Sequence, residues 1–465
     1  MSSAIRLLEQ FEKGDRRPIR ILGASGQLGY GIPTPAFTAG LARKPDMIGC
    51  DMGSIDPGPY YLGSGNLATS PESTRRDLRK VLMAARQLDI PLVIGSAGSA
   101  GAGPHLDQTL RIVREIALAE RLHFNLCSIR ADIPRSTVNE AIRAGRVVPI
   151  DNMPALTEAD VRSATHLVGQ MGTEAIRRGL MSGADVVIAG RACDTAIYAA
   201  LPDILGFPTG IAVHMAKIVE CASLCCIPGG RDAILATLDD EGFELESMAP
   251  HRSATPLSVA AHSLYEQSDP FTVTEPEGTL DVRDARYAAL DERRARVSGA
   301  SWRAAARTTV KIEGARHLGH RAILLCGTAD PLFIAQHQQL LEEVRIVVRD
   351  LVSEDAAEDY QLHFRAYGVN GVHDWQSAPA PLPREMFIMA ECIAPSEARA
   401  LEVVKTTKQY LLHHGYAGRL STGGNVAFPF TPPELAVGPA YGFNVYHIMD
   451  ADNLAGLFPV ELETV

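Results

Sequence analysis

A short apolar run, a glycine-rich loop and an amphipathic segment follow one another between Pro91 and Ala119. The run Leu92–Ile94 is typical of a buried strand, and the loop Gly95–Gly103 consists only of glycine, serine and alanine. The segment after it has apolar residues at helical spacing: Leu106, Leu110, Val113, Ile116 and Ala117. Strand, loop and helix in this order predict one unit of an α/β fold.

The Gly95–Gly103 loop has two interpretations. Backbone N–H groups in such a loop and at the start of the next helix can hold an anion, with help from the helix dipole. This interpretation makes Ser96, Gly98, Ser99 and Gly101 substrate-binding residues. The alternative is a tight turn whose small residues serve packing. The loop matches neither the dinucleotide-binding fingerprint nor the P-loop, so it predicts no particular ligand.

Similar strand, loop and helix units recur through the first half of the chain and predict a mostly parallel sheet covered by helices. The strand Ile19–Leu22 leads into a second glycine-rich loop, where Ser25 and Gly26 are further candidates for substrate binding. Thr157 is a helix cap, and we expect a long helix from it to about Ser182.

The pattern changes beyond a polar, turn-rich stretch, so the sequence predicts an α/β domain over residues 1–285 and a smaller α+β domain over 286–465. In the second domain, two proline-started helices each follow a pair of predicted strands. The strand pairs are Thr308–Ile312 with Leu318–Gly327, and Gln361–Tyr367 with Met386–Ala394. The repeat predicts two β-β-α units and an antiparallel sheet.

Charge and hydropathy exclude several classes of partner. The net charge of −11, without a basic tract, argues against nucleic acid. No apolar run approaches the roughly 20 residues of a membrane helix, and the charged N-terminus is not a secretory signal. Most of the eight cysteines lie in or beside apolar runs, as expected for reduced thiols. We therefore expect a cytoplasmic protein, and its size favours a homo-oligomer.

Three residues are candidates for catalysis. His105 lies near the start of a predicted helix, which would keep its imidazole neutral and able to act as acid or base. Lys217 and Glu220 are three residues apart in an apolar helical segment. They form either a buried acid–base pair or a solvated ion pair on the helix surface.

Four more polar residues complete the predicted site. Arg191 would orient a substrate carboxylate, and Asn425 lies in a polar loop that could close over a ligand. Asp51 and Asp194 follow predicted strands, where they would position a water molecule or a divalent metal ion, although turn or cap roles are also open. The cofactor is otherwise unknown, because no nicotinamide or flavin fingerprint is present.

Several motifs together resemble the acyclic terpene utilisation family. They are YEQSDPF at 265–271, HMAKIVECAS at 214–223, GRACD at 190–194 and LSTGGNVAFPF at 420–430. The family is named for a bacterial pathway that degrades terpenoids through CoA thioesters. The resemblance therefore implies a role near acyl-CoA and carboxylate metabolism.

These features together predict an enzyme that acts on a small carboxylate or its CoA thioester by acid–base chemistry next to a carbonyl. A lyase, such as a hydratase, dehydratase or C–C lyase, or an isomerase of catabolism fits best. The alternative is a non-catalytic subunit that binds an acyl ligand or a small partner subunit and works with a partner enzyme.

Overall fold

The computed structural model describes residues 2–265, 268–352, 359–373, 381–420 and 423–465. These residues form two compact units. The first contains Met1–Arg316 and Phe443–Val465, and the second contains His317–Gly442. This division lies later in the chain than the boundary expected between residues 285 and 286.

The helices and strands of both units are numbered here in chain order. The helices are α1 Ser3–Glu12, α2 Thr34–Ala42, α3 Pro59–Ser64, α4 Pro71–Leu88, α5 Gly103–Glu120, α6 Arg135–Arg143, α7 Glu158–Ser163, α8 Thr173–Met181, α9 Asp194–Ile204, α10 Thr209–Val219, α11 Pro256–Ser263, α12 Pro331–Val352, α13 Glu397–His413 and α14 Leu454–Leu457. The strands are β1 Ile19–Gly23, β2 Met47–Asp51, β3 Leu92–Gly95, β4 Asn125–Ile129, β5 Val147–Pro149, β6 Ala164–Gly169, β7 Val186–Ala189, β8 Ile234–Leu238, β9 Gly242–Ser247, β10 Thr272–Glu275, β11 Gly278–Asp281, β12 Arg286–Ala289, β13 Arg294–Ser298, β14 Ser301–Ala304, β15 Thr309–Thr328, β16 Gln361–Tyr367, β17 Met386–Ala394, β18 Glu434–Asp450 and β19 Val460–Thr464.

The large sheet of the first unit is mixed, so the prediction of a mostly parallel sheet is wrong. In the described residues its order is β12-β13-β9-β8-β1-β2-β3-β7-β4-β19. Strands β1, β2, β3, β7 and β4 are parallel neighbours. Strand β8 runs antiparallel to β1 and continues into the hairpin with β9, while β19 pairs antiparallel with β4. Hairpin connections and the returning C-terminal strand thus extend a parallel centre on both sides.

The parallel strands are buried on both faces, as the predicted cover of helices requires. Successive residues of β3 belong to different apolar clusters, because Val93 packs in one core and Ile94 in the other. Helices α2, α4 and α5 contribute to the core that contains Ile94, and α8, α9 and α10 to the core that contains Val93. Within the described residues, every helix is too short or too polar to span a lipid bilayer.

One predicted helix is divided by a strand. Thr157 caps α7 as expected, accepting a hydrogen bond from the backbone of Asp160. The helix ends at Ser163, however, and β6 follows before α8 begins. Strand β6 pairs antiparallel with the first part of β15. This tertiary contact stabilises as a strand an apolar run that the sequence alone predicts to be part of a helix.

The second unit has its own apolar core between a sheet and the helices α12 and α13. The elements follow the order β15, α12, β16, β17, α13, β18, and the sheet order β16-β17-β15-β18 is that of a split β-α-β arrangement. The first predicted β-β-α unit is wrong, because its two strands are the single strand β15. The second, with β16, β17 and α13, is confirmed.

Candidate active site

Loops from four parallel strands meet at the carboxyl edge of the large sheet. A Cβ atom at Gly53, after β2, would lie 2.7 Å from the side-chain nitrogen of Gln27, which follows β1. A Cβ atom at Gly101, after β3, would overlap the backbone nitrogen of Arg191, which follows β7. Open α/β sheets bind ligands at this edge, so the side chains here form the candidate site.

Arg191 forms a buried ion pair with Glu313 on β15. Its Nε donates to Oε2 of Glu313 at 2.8 Å, and one terminal nitrogen approaches Oγ of Ser96 at 3.3 Å. Lys311 reaches the other oxygen of Glu313 at 3.2 Å. Burial alone would raise the pKa of Glu313, but the two cations outweigh it and lower that pKa. The guanidinium predicted to orient a substrate is thus already held by a protein carboxylate.

Lys217 and Glu220 form a buried pair at the end of α10. The ammonium nitrogen of Lys217 lies 2.9 Å from Oε1 of Glu220, and the two side chains are 6% and 8% exposed. The ring of Tyr265 lies 5.5 Å from that nitrogen. Burial raises the pKa of Glu220 to about 8, against the opposing charge of Lys217. Of the two interpretations left open by the sequence, the geometry is that of the buried pair.

Asp51 and Asp194 bring two further carboxyl groups to the same site. One oxygen of Asp51 accepts the N–H of Gly53 at 2.8 Å. The other oxygen is buried, as is Oδ1 of Asp194, and neither has a hydrogen-bond partner among the described residues. Burial raises the pKa of Asp51 well above its ordinary value, and the charge of Asp194 adds to that shift. At least one carboxyl is thus favoured in its neutral form.

The metal prediction for Asp51 and Asp194 stays a prediction. In the part of the chain that the structure describes, no group of three or more histidine, cysteine, aspartate or glutamate side chains is arranged to hold a metal ion. The two carboxyl groups instead act on each other and on Glu220 electrostatically.

Glu275 and Tyr198 were not predicted from the sequence, because no motif or spacing indicates either residue. Glu275 accepts a hydrogen bond from Oγ1 of Thr195 at 2.8 Å, and burial raises its pKa to about 7. The hydroxyl of Tyr198 is buried without a partner among the described residues, and charges of Asp51 and Glu220 act on it. Gly49 leaves the space for this ring, since a Cβ atom there would overlap it. Both residues belong to the candidate site.

His105 lies under the Gly95–Gly103 loop rather than at its surface. Its Nδ1 accepts a hydrogen bond from the N–H of Ala102 at 3.1 Å. The ring proton is therefore on Nε2, which donates to the carbonyl oxygen of Asn66 at 3.0 Å. Burial lowers the pKa of the imidazole to about 4. The ring is neutral as expected, but both nitrogens bind backbone groups, which favours a capping role over proton transfer.

The Gly95–Gly103 loop is buried throughout, and most of its backbone N–H groups donate to other groups of the protein. Ser96 and Ala97 donate their backbone N–H groups to carbonyls at the end of β7, and Gly103 at the start of α5 donates to Asp132 at 3.1 Å. The hydroxyl of Ser99 donates to the carbonyl of Ser54. A Cβ atom at Gly98 would lie 2.8 Å from Cβ of His105. The glycines therefore meet a packing requirement, as in the second interpretation of the loop.

The loop after β1 is different. The backbone N–H groups of Ser25, Gly26 and Gln27 have no acceptor among the described residues, and the hydroxyl of Ser25 is buried without a partner there. A Cβ atom at Gly26 would lie 3.3 Å from the carbonyl oxygen of Cys221, which adjoins Glu220. Ser25 and Gly26 thus lie beside the acid–base pair, where consecutive N–H groups can receive an anionic group.

Asn425 lies in the second unit and closes the end of α13. Its side-chain nitrogen donates to the carbonyls of Leu411 at 3.2 Å and His414 at 2.7 Å. Its predicted part in substrate binding stays a prediction, and the neighbouring Ser421 and Thr422 lie outside the described residues. Glu266 and Gln267 of the YEQSDPF motif also lie outside them.

This protein is a mixed α/β protein with a cluster of buried ionisable side chains near the carboxyl edge of its parallel strands. A family model described as acyclic terpene utilisation family protein AtuA matches residues 71–203 and 251–434, and the chain belongs to that family. The match contains Arg191 and Asp194, whereas Lys217 and Glu220 lie between the matched segments. No curated protein and no solved structure matches the chain.

Proposed function

We propose that this protein is an enzyme that moves protons next to the carbonyl group of a small carboxylate or its CoA thioester. The observation that carries the proposal is the buried Lys217–Glu220 pair, whose members are 2.9 Å apart and face two further carboxyl groups. A lyase or an isomerase is the reaction class that this arrangement supports.

The pKa of Glu220 suits the reaction. A group that gives and takes protons works best when its pKa is close to the working pH, and burial raises that of Glu220 to about 8. Asp51 and Asp194 each have a buried oxygen without a partner among the described residues, and whichever of the two carboxyl groups is ionised supplies an acceptor for a substrate proton. Lys217 supplies positive charge where an enolate oxygen would form.

The Ser25–Gln27 turn is the best-placed holder of an anionic group. Its three consecutive N–H groups have no acceptor among the described residues, and Gly26 packs against the chain next to Glu220. A carboxylate held there would place the adjacent carbonyl beside Lys217. Gly53 connects the Gly95–Gly103 loop to this turn, because it lies close to the side chains of both Ser99 in the loop and Gln27 in the turn.

A thermal-shift panel tests the proposal. The ligands are free dicarboxylates, oxo acids and short acyl-CoA esters, and a ligand at 100 times its dissociation constant adds about 2.7 kcal/mol to stability. We expect one of these classes to raise the melting temperature of the wild type and of Glu463→Gln, a surface variant, but not of Glu220→Gln. A shift of equal size in Glu220→Gln, or none with any class, would oppose the proposal.

A further inference from the structure

We propose that Lys217 forms a covalent Schiff base with a ketone or aldehyde group of the substrate. This inference rests on the proposed function and narrows its substrate class to oxo acids. A thioester carbonyl would lose its thiol on attack by an amine instead of forming a stable imine. The substrate that reacts at Lys217 would therefore carry a separate keto or aldehyde group.

Lys217 is unusual among the lysines of the chain. The sequence contains seven lysines, all within the described residues, and Lys217 is the one that is buried. Burial of an ammonium group is costly and calls for a paired charge, which Glu220 supplies. The neutral amine is the nucleophile that attacks carbonyl carbon, and Glu220 is within hydrogen-bond distance to accept its proton.

Some side chains beside the buried pair reach the surface. Asp194 and Cys221 beside it are partly exposed, and Tyr265, whose ring lies 5.5 Å from the nitrogen of Lys217, is 40% exposed. In the proposed reaction, a small carbonyl compound would enter between these side chains. The amine and the acid that the reaction requires are already in contact.

The chemistry balances within the pair. Glu220 accepts a proton from the ammonium of Lys217, and the amine forms a C–N bond while the carbonyl electrons move to oxygen. Glu220 returns the proton to that oxygen, a second N–H proton follows by the same route, and the C–O bond breaks to release water. The products are a protonated imine and water, so the total charge of the buried site is unchanged.

The imine explains the neighbouring carboxyl groups. A protonated imine withdraws electrons from the adjacent carbon and makes its C–H bond more acidic. The carboxyl groups of Asp51 and Asp194 each have a buried oxygen without a partner among the described residues, and whichever carboxyl is ionised can accept that proton. Deprotonation there starts either elimination, C–C cleavage or isomerisation, which are the reaction classes of the proposed function.

Borohydride trapping tests the inference on the full-length protein. Purified protein is incubated with pyruvate, acetoacetate or acetaldehyde and then reduced with sodium borohydride. We expect at least one probe to leave an adduct whose mass equals that of the probe less one oxygen atom. Peptide mapping should place it on Lys217, and Lys13→Arg, which changes an exposed lysine, should keep it.

The variants separate the possible results. Lys217→Arg should lose the adduct completely, and Glu220→Gln should form it at least tenfold more slowly while remaining folded by circular dichroism. Adducts confined to the other lysines, or none with any probe, would overturn the Schiff base. If such protein still exchanges substrate protons with solvent, the proposed function stands and only the covalent step is wrong.

Discussion

The guanidinium of Arg191 and the carboxylate of Glu313, 122 residues apart in the sequence, form a bidentate ion pair inside the first unit. Both side chains are almost fully buried, with 4% and 0% exposure. The pair links the loop after β7 to strand β15 and so holds Arg191 in position within the candidate site.

Loss of one partner should therefore be costly. We expect Glu313→Gln to lower the free energy of unfolding by about 3–5 kcal/mol, because it leaves the buried Arg191 without its charge partner. Chemical denaturation of the two proteins measures the difference. Glu463→Gln, which breaks a half-exposed pair with Arg114, should cost no more than about 1 kcal/mol. Equal costs for the two variants would contradict the structural role of the pair.

The packing role of Gly101 can be isolated with a matched glycine. Gly101 and Gly145 both have φ of +66°, but only a Cβ atom at Gly101 would overlap Arg191, whereas nothing lies within 4 Å at Gly145. Gly145→Ala should cost about 1–2 kcal/mol for backbone strain alone. Gly101→Ala should cost about 1–3 kcal/mol more, as measured by denaturant unfolding. Similar costs would mean that the two loops do not approach as closely as described.

His105 should make the protein sensitive to acid. Its pKa is lowered from 6.5 to about 4, so between these pH values the unfolded chain binds a proton that the folded chain does not. Stability from this group is therefore lost as pH falls, by about 3 kcal/mol in all. His105→Gln should flatten the dependence of unfolding free energy on pH in this window, whereas His123→Gln, at an exposed site, should not. An unchanged slope in His105→Gln would be evidence against a buried neutral ring.

Asn425 should matter for stability. Asn425→Ala removes the donor to the carbonyls of Leu411 in α13 and of His414 just after it, and we expect a loss of about 1–3 kcal/mol of stability. Thermal unfolding of the variant checks this. Unchanged stability together with weaker ligand binding would favour the loop-closure role expected from the sequence.

The sequence predicted those parts of the site that depend on local spacing. Lys217 and Glu220 are three residues apart, so their pairing follows from helical geometry alone. Their burial does not, because it depends on Tyr265 and on strands that are distant in sequence. Glu313 was missed for the same reason, since its partner lies 122 residues away and nothing in the β15 segment indicates it.

The glycine-rich loops show the same limit. Their glycine content predicts backbone conformations that other residues avoid. It does not distinguish a loop that binds an anion from a loop that packs closely against another backbone segment. In the Gly95–Gly103 loop, crossing with Arg191 accounts for Gly101, while three consecutive N–H groups without an acceptor among the described residues lie in the Ser25–Gln27 turn. The mixed sheet was missed because strand direction depends on connections that the local pattern does not contain.

The most direct test of the acid–base site is deuterium incorporation next to the carbonyl of oxo acids and acyl-CoA esters in heavy water, followed by NMR. Wild-type protein and Glu463→Gln should incorporate deuterium into at least one compound at the same rate. Glu220→Gln should do so at least about 100-fold more slowly, as expected for loss of a general acid–base group. Absence of exchange with every compound, or an undiminished rate in Glu220→Gln, would contradict the account.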